Sequence, residues 1–211
     1  HEKLKDLEND MLKMGSMVEE SIHKSIEALK NKDLDLAEEV IEEDDNIDDF
    51  EIKLEEDSTK LIALQQPVAK DLRKIIVISK LATDLERIGD HASNIARMVL
   101  KIGEEPLIKP LIDIPRMTDI VTKRLRDSLE AFINLDVEKA REIAKQDEEV
   151  DILDEQILRE LLTFMIEDPS TIRQATSLIF ISRFLERIGD HSTNVCERVI
   201  YMATGDRDFN Y

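Results

Sequence analysis

Apolar residues recur along this chain at three- and four-residue intervals in long uninterrupted runs, and that spacing predicts helices. Leu4, Leu7, Met11, Met14, Val18 and Ile22 mark the first, from about Glu2 to Asn31. Asp33 follows as an N-cap and opens a second helix, in which Val40, Ile47, Leu54 and Leu61 recur every seven residues. Gln65-Gln66-Pro67 breaks that pattern, and a third helix runs from near Pro67, which suits a first-turn position, to Gly103. Residues 104–114 hold Pro106 and Pro110 without periodicity and read as a linker. A fourth helix begins near Pro115 and ends around Asn134. Asp136 caps a fifth, where Ile143, Val150, Ile157 and Phe164 again recur every seven residues. Asp168-Pro169-Ser170 interrupts it, a sixth spans about Ser170 to Thr204, and the tail 205–211 is expected to fray.

The two halves are therefore repeats. The expected fold is all-α, with six long helices forming two tandem, sequence-related three-helix bundles, residues 1–103 and 115–211. Seven-residue spacing favours slightly supercoiled antiparallel packing, and a helix of 30 residues is about 45 Å long.

One heptapeptide is shared letter for letter. Leu85-Glu86-Arg87-Ile88-Gly89-Asp90-His91 recurs as Leu185-Glu186-Arg187-Ile188-Gly189-Asp190-His191, and Asn94 recurs as Asn194. Leu85, Ile88, Ala92 and Ile95 follow the spacing of a buried stripe. Glu86, Asp90 and Asn94 stack four apart on one flank of it. Such carboxylates repel one another unless something positive lies between them. A mid-helix glycine costs about 1 kcal/mol relative to alanine, so Gly89 and Gly189 point to a close approach to the backbone. The second helix adds Glu42, Glu43, Asp44, Asp45, Asp48, Asp49 and Glu51, and the fifth adds Asp147, Glu148, Glu149, Asp151, Asp154 and Glu155. In heptad register Asp44 pairs with Asp147 and Asp48 with Asp151. Antiparallel neighbours bring each Asp-x-x-x-Asp opposite a Glu-x-x-x-Asp, although the sequence alone does not fix that register. Converging carboxylates oppose folding unless cations neutralise them, and all-oxygen ligation suits Mg²⁺, Ca²⁺, Mn²⁺ or ferric iron, with zinc admissible. A carboxylate run on a helix is more often a solvated face; the repeated ladder favours a site.

His91 and His191 lie one residue past the ladder, about 100° around the helix, and suit packing or a supporting hydrogen bond. Arg87 and Arg187 pair most simply with nearby acids, Met11, Met14 and Met17 fill the core, and Cys196 is expected to be buried and inert.

The chain has 48 acidic and 29 basic residues and a net charge of -19, which repels nucleic acid and anionic membranes and favours cations and basic protein surfaces. A single cysteine excludes an intrachain disulfide and a thiolate metal cage. No run approaches the ~20 apolar residues of a membrane helix and no signal peptide is visible, so a cytoplasmic protein without direct membrane insertion is expected.

Gln65-Gln66-Pro67-Val68-Ala69-Lys70-Asp71-Leu72-Arg73 and the duplicated Leu-Glu-Arg-Ile-Gly-Asp resemble the PhoU family of phosphate-uptake regulators, over essentially the whole chain. The resemblance implies multinuclear metal clusters (Fe, Zn, Mn or Mg) on Asp44, Asp48, Glu86 and Asp90 in the first half and on Asp147, Asp151, Glu186 and Asp190 in the second. It also implies a homodimer with no catalytic activity, a negative regulator of phosphate-starvation signalling. Its partners would be the ATPase subunit of the phosphate ABC transporter and a phosphate-sensing histidine kinase. Two alternatives stand beside it. One is a carboxylate-bridged oxidase or hydrolase, although the Glu-x-x-His of di-iron bundles is missing from both copies of the motif. The other is an ion-free acidic scaffold.

Overall fold

Each half of the chain buries one stripe of every helix against the other two. The computed structural model describes residues 2–146 and 148–205. Helix α1 (Glu2–Asn31) turns within three residues into α2 (Leu34–Gln65), and α3 (Ala69–Ile102) completes the first bundle. Helix α4 (Asp113–Asn134) begins the second, followed by α5 (Val137–Lys145), α6 (Glu148–Glu167), a 3-10 turn at Pro169–Thr171 and α7 (Ile172–Thr204). The helix expected after Asp136 is thus realised as two segments, α5 and α6, on either side of Gln146-Asp147. Asp147 lies outside the described residues, as does the tail 206–211.

The two halves turn their first corner identically. Lys32 and Leu135 take left-handed backbone conformations, and the next residues, Asp33 and Asp136, cap α2 and α5 by accepting from Leu36 N and Lys139 N at 3.0 Å. The Asp33 and Asp136 amides reach back to Ala28 O and Ala131 O, closing a Schellman-type end on the preceding helix. That shared corner fixes an offset of 103 residues between α1–α2 and α4–α6.

The heptad positions Val40, Ile47, Leu54 and Leu61 are all buried, as are Ile143, Val150 and Ile157. Phe164 is only half-buried, and Leu161 takes the core place at that level. Ion pairs give the helix directions. Lys24 of α1 bridges Glu39 and Glu43 of α2 while Lys53 of α2 reaches Asp10 of α1, so numbers rise on one helix as they fall on the other.

The bundles then dock on each other through α3 against α7 and α1 against α4. Gly15 makes room for the second contact, since a Cβ there would stand 2.6 Å from Leu129 Cδ1. The linker is tied down rather than loose. Buried Gln174 of α7 accepts from Ile108 N at 2.7 Å and donates to Pro106 O at 2.9 Å, and Lys109 pairs with Glu160. No helix among the described residues is long and apolar enough to cross a membrane.

Candidate metal centre

The carboxylate ladders lie where α2 faces α3. Asp90 and the Ser93 hydroxyl act on Asp44, Asp90 acts on Asp48, and Glu51 and Asp48 act on Glu86. Residue numbers in these pairs sum to about 137, which fixes the antiparallel register that the sequence left open. Asp44, Asp48, Glu86 and Asp90 are thereby brought onto one seam.

Gly89 permits this approach. A Cβ built there would meet Ile47 Cδ1 and Cγ2 at 3.1 Å and Asp44 Oδ1 at 3.5 Å, so it is α2 itself that comes close to the backbone of α3. Asp44 is only 9% exposed, and its Oδ1 is buried without a hydrogen-bond partner among the described residues. The Ser93 Oγ beside it is likewise buried and unpartnered, although its nearness eases the carboxylate. A buried polar atom left in this state costs about 1–3 kcal/mol.

The electrostatics follow from that burial. Desolvation pushes Asp44 up to about 6, with Asp90 and Asp48 adding to the rise and Ser93 and Arg97 offsetting part of it. Glu86 is pushed up to about 7, first by burial and then by Asp90, Glu51 and Asp48. Asp48 is raised by burial and by Asp90, Asp45 and Asp49. The seam therefore holds more negative charge than it tolerates at neutral pH, and a cation is the remedy its chemistry calls for. All-oxygen donors suit a hard or borderline divalent or trivalent ion. Among the described residues, no three His, Cys, Asp or Glu side chains are gathered closely enough to hold an ion as they stand.

In the second half α7 carries Glu186 and Asp190, and Asp151 lies on α6. Glu186 is raised by burial and by Asp190, with Arg187 and Arg183 pulling it back and Asp154 adding to the rise. Arg187 pairs with Glu186 at 3.8 Å. Asp154 is buried there, accepting from Ser182 Oγ at 2.7 Å and pairing with Arg183 Nη1 at 2.8 Å.

The histidines turn away from the ladders into the α3–α7 contact. His91 stacks on Phe184 with ring centroids 5.8 Å apart and lies 5.7 Å from the His191 ring. Burial pushes the His91 imidazole down to about 4, and the neighbouring charges of His191, Arg187 and Arg87 add to the fall. His191 Nδ1 instead sits 3.2 Å from Asp84 Oδ1, and Arg198 Nε donates to Asp84 Oδ2 at 2.6 Å. Burial alone raises the Asp84 carboxyl, but these two donors outweigh it and hold the group below its usual range. The sequence reading missed this network. Its available signal was that Asp84 and Phe184, otherwise equivalent positions flanking the identical heptapeptide, differ in polarity.

Comparison with known proteins decides the family. The PhoU domain matches the chain twice, at residues 11–99 and 114–199. The chain belongs to the PhoU family. A phosphate-specific transport system accessory protein PhoU homolog from Clostridium acetobutylicum is 43% identical over 96% of this chain and 93% of its own. The PhoU of Escherichia coli is 39% identical over 99% of this chain and 86% of its own. The crystal structure of PhoU from Pseudomonas aeruginosa superimposes with a TM-score of 0.92 at 39% identity, covering 97% of this chain and 98% of that one. Members of the PhoU family are regulatory accessory proteins and not enzymes, which removes the oxidase and hydrolase alternatives.

Proposed function

We propose that this chain is a cytoplasmic accessory regulator of phosphate uptake and of phosphate-starvation signalling, a negative regulator whose carboxylate seam is a metal site. The relatives are named for phosphate transport, and the same role here gives the acidic surface its use in docking onto basic faces of partner proteins. The partners proposed are the ATPase subunit of a phosphate ABC transporter and a phosphate-sensing histidine kinase, with the chain acting as a homodimer of two-domain subunits.

The observation that carries the metal reading is Asp44 Oδ1, buried and unpartnered beside three further carboxylates. Asp44, Asp48, Glu86 and Asp90 would hold the ion, and the repeat supplies Asp147, Asp151, Glu186 and Asp190 as the second set. Bound there, a cation supplies positive charge to a seam that otherwise repels itself, and so ties α2 to α3. Glu86 and Asp44 are held partly protonated without it, so binding releases protons.

The test is elemental analysis of protein purified without chelator or affinity metal, beside the Glu86→Ala/Asp90→Ala/Glu186→Ala/Asp190→Ala variant. Stoichiometric metal in the parent and none in the variant is expected. A parent that takes up no Fe, Mn or Zn on incubation refutes the site. Co-purification with the ATPase subunit tests the partner separately, and a chain that never retains it sinks that part of the reading.

A further inference from the structure

The two carboxylate seams differ in the charges that the protein itself places beside them. With the 103-residue offset fixed by the helix caps, Ser21 of α1 corresponds to Arg124 of α4, while Val18, Ile22 and Ser25 correspond to Val121, Leu125 and Ser128. With the 100-residue offset of the heptapeptide, Thr83 corresponds to Arg183 and Ser93 to Thr193. The second half thus holds two arginines where the first has small hydroxyl residues.

Their geometry puts both on the second seam. Arg124 is 3% exposed, and its Nη1 is 3.6 Å from where a Cβ on Gly189 would be, beside Val150, the counterpart of Ile47. Its Nη2 donates to Thr193 Oγ1 at 2.9 Å. At the corresponding place in the first half stands Asp44 Oδ1, with the buried and unpartnered hydroxyl of Ser93, and Ser21 in place of the guanidinium. At the outer end the half-exposed Arg183 pairs with Asp154, while in the first half the corresponding positions are Thr83 and Glu51. Arg87 and Arg187 are common to both halves. The first seam's own extra cation is Arg97, which is solvent-exposed and therefore screened.

We propose that the two seams are unequal: the first half takes the metal, and the second is closed to it by the buried guanidinium of Arg124. This rests on the metal-binding reading above and narrows it, since that reading gives an ion to both seams. A buried guanidinium repels a divalent ion through a low-dielectric path. One seam is then loaded and responsive, while the other carries a fixed internal cation in place of an exchangeable one.

The experiment counts metal. Protein is incubated with Mn²⁺ or Zn²⁺, desalted and measured by elemental analysis, with circular dichroism and a thermal melt on each variant. Asp44→Asn/Glu86→Gln is expected to lose all bound metal, and Asp151→Asn/Glu186→Gln to keep the parent's load. Arg124→Ser is expected to gain a second load that Glu186→Gln then removes, and Ser21→Arg to empty the first seam. If the two double variants each lose half the metal, the inequality is overturned while the metal reading stands. If the parent binds none, the reading itself falls. If Arg124→Ser fails to fold, the pair of double variants and Ser21→Arg still decide; if it folds and gains nothing, the role of Arg124 is refuted.

Discussion

Substituting the two motif glycines by alanine should move stability in opposite directions, although the surrounding seven residues are identical. Each replacement gains about 1 kcal/mol of helix propensity, a term that cancels between the two sites. At Gly189 the new methyl group finds Arg124 Nη1 and Val150 at 3.6 Å and Val121 at 3.7 Å, ordinary van der Waals contacts. Gly189→Ala should therefore stabilise by about 1 kcal/mol. At Gly89 the methyl meets both Cδ1 and Cγ2 of Ile47 at 3.1 Å. Turning Ile47 about its outer bond moves Cδ1 but leaves Cγ2 in place, and its side chain is 2% exposed, so α2 must give way. Overpacking of this kind costs about 1–3 kcal/mol, which outweighs the propensity gain and leaves a net loss of about 1 kcal/mol. A gap of about 2 kcal/mol corresponds to melting temperatures roughly 4–8 °C apart in a chain of this size. Thermal and urea unfolding in chelator-treated buffer give the comparison. Equal shifts in both variants, or a Gly89→Ala more stable than Gly189→Ala, would refute the assignment of Gly89 to the close approach of α2.

Three further outcomes follow from the α3–α7 contact and its surroundings. Asp84→Ala leaves Arg198 and His191 without their shared carboxylate and should cost about 3 kcal/mol in urea unfolding at pH 7; a loss below about 1 kcal/mol would show the network to be dispensable. His91, held down to about 4, binds fewer protons folded than unfolded. The stability this represents is complete above about pH 6.5 and is lost as pH falls through 4. Relative to His91→Gln, the metal-free protein should thus lose about 2–3 kcal/mol across that window, against the opposite drift from Asp44 and Glu86, which gain protons on folding; a difference independent of pH would contradict it. Cys196, fully buried, should react with a thiol reagent only when the chain unfolds, and stoichiometric labelling of native protein within minutes would place it elsewhere.

Much of this was legible in the order of residues. Asp33 and Asp136 cap their helices as read, and Leu85, Ile88, Ala92 and Ile95 form the buried stripe of α3. Cys196 and the methionines Met11 and Met14 are in the core. The facing of Asp44 to Asp90 was not readable, because periodicity fixes which side of a helix is buried and not how far it slides along its neighbour. The division of the fifth helix and the outward place of Phe164 are not contained in a seven-residue count. Gly15 has no signal of its own in the sequence, because its reason is Leu129 of the other half. Arg124 and Asp84 were hidden because a buried charge has no periodic signature. Both were recoverable by asking where the two repeats disagree, rather than only where they agree.

The difference between Asp84 and Phe184 gives the contact between the halves a sense of self and other. Two first halves docked together would set each Asp84 against a His91 with Met98 where Arg198 belongs, leaving two buried carboxylates short of a guanidinium. Two second halves would leave Arg198 with no acid on either side. Only the mixed pair gives both Asp84 and Arg198 their partners, so mismatched pairing is penalised by unpaired charge rather than by shape. Chains crowded together during synthesis are therefore kept from docking first half on first half or second half on second half. Cut in the linker, the two pieces should re-form as a one-to-one pair, and like halves should stay apart on a sizing column.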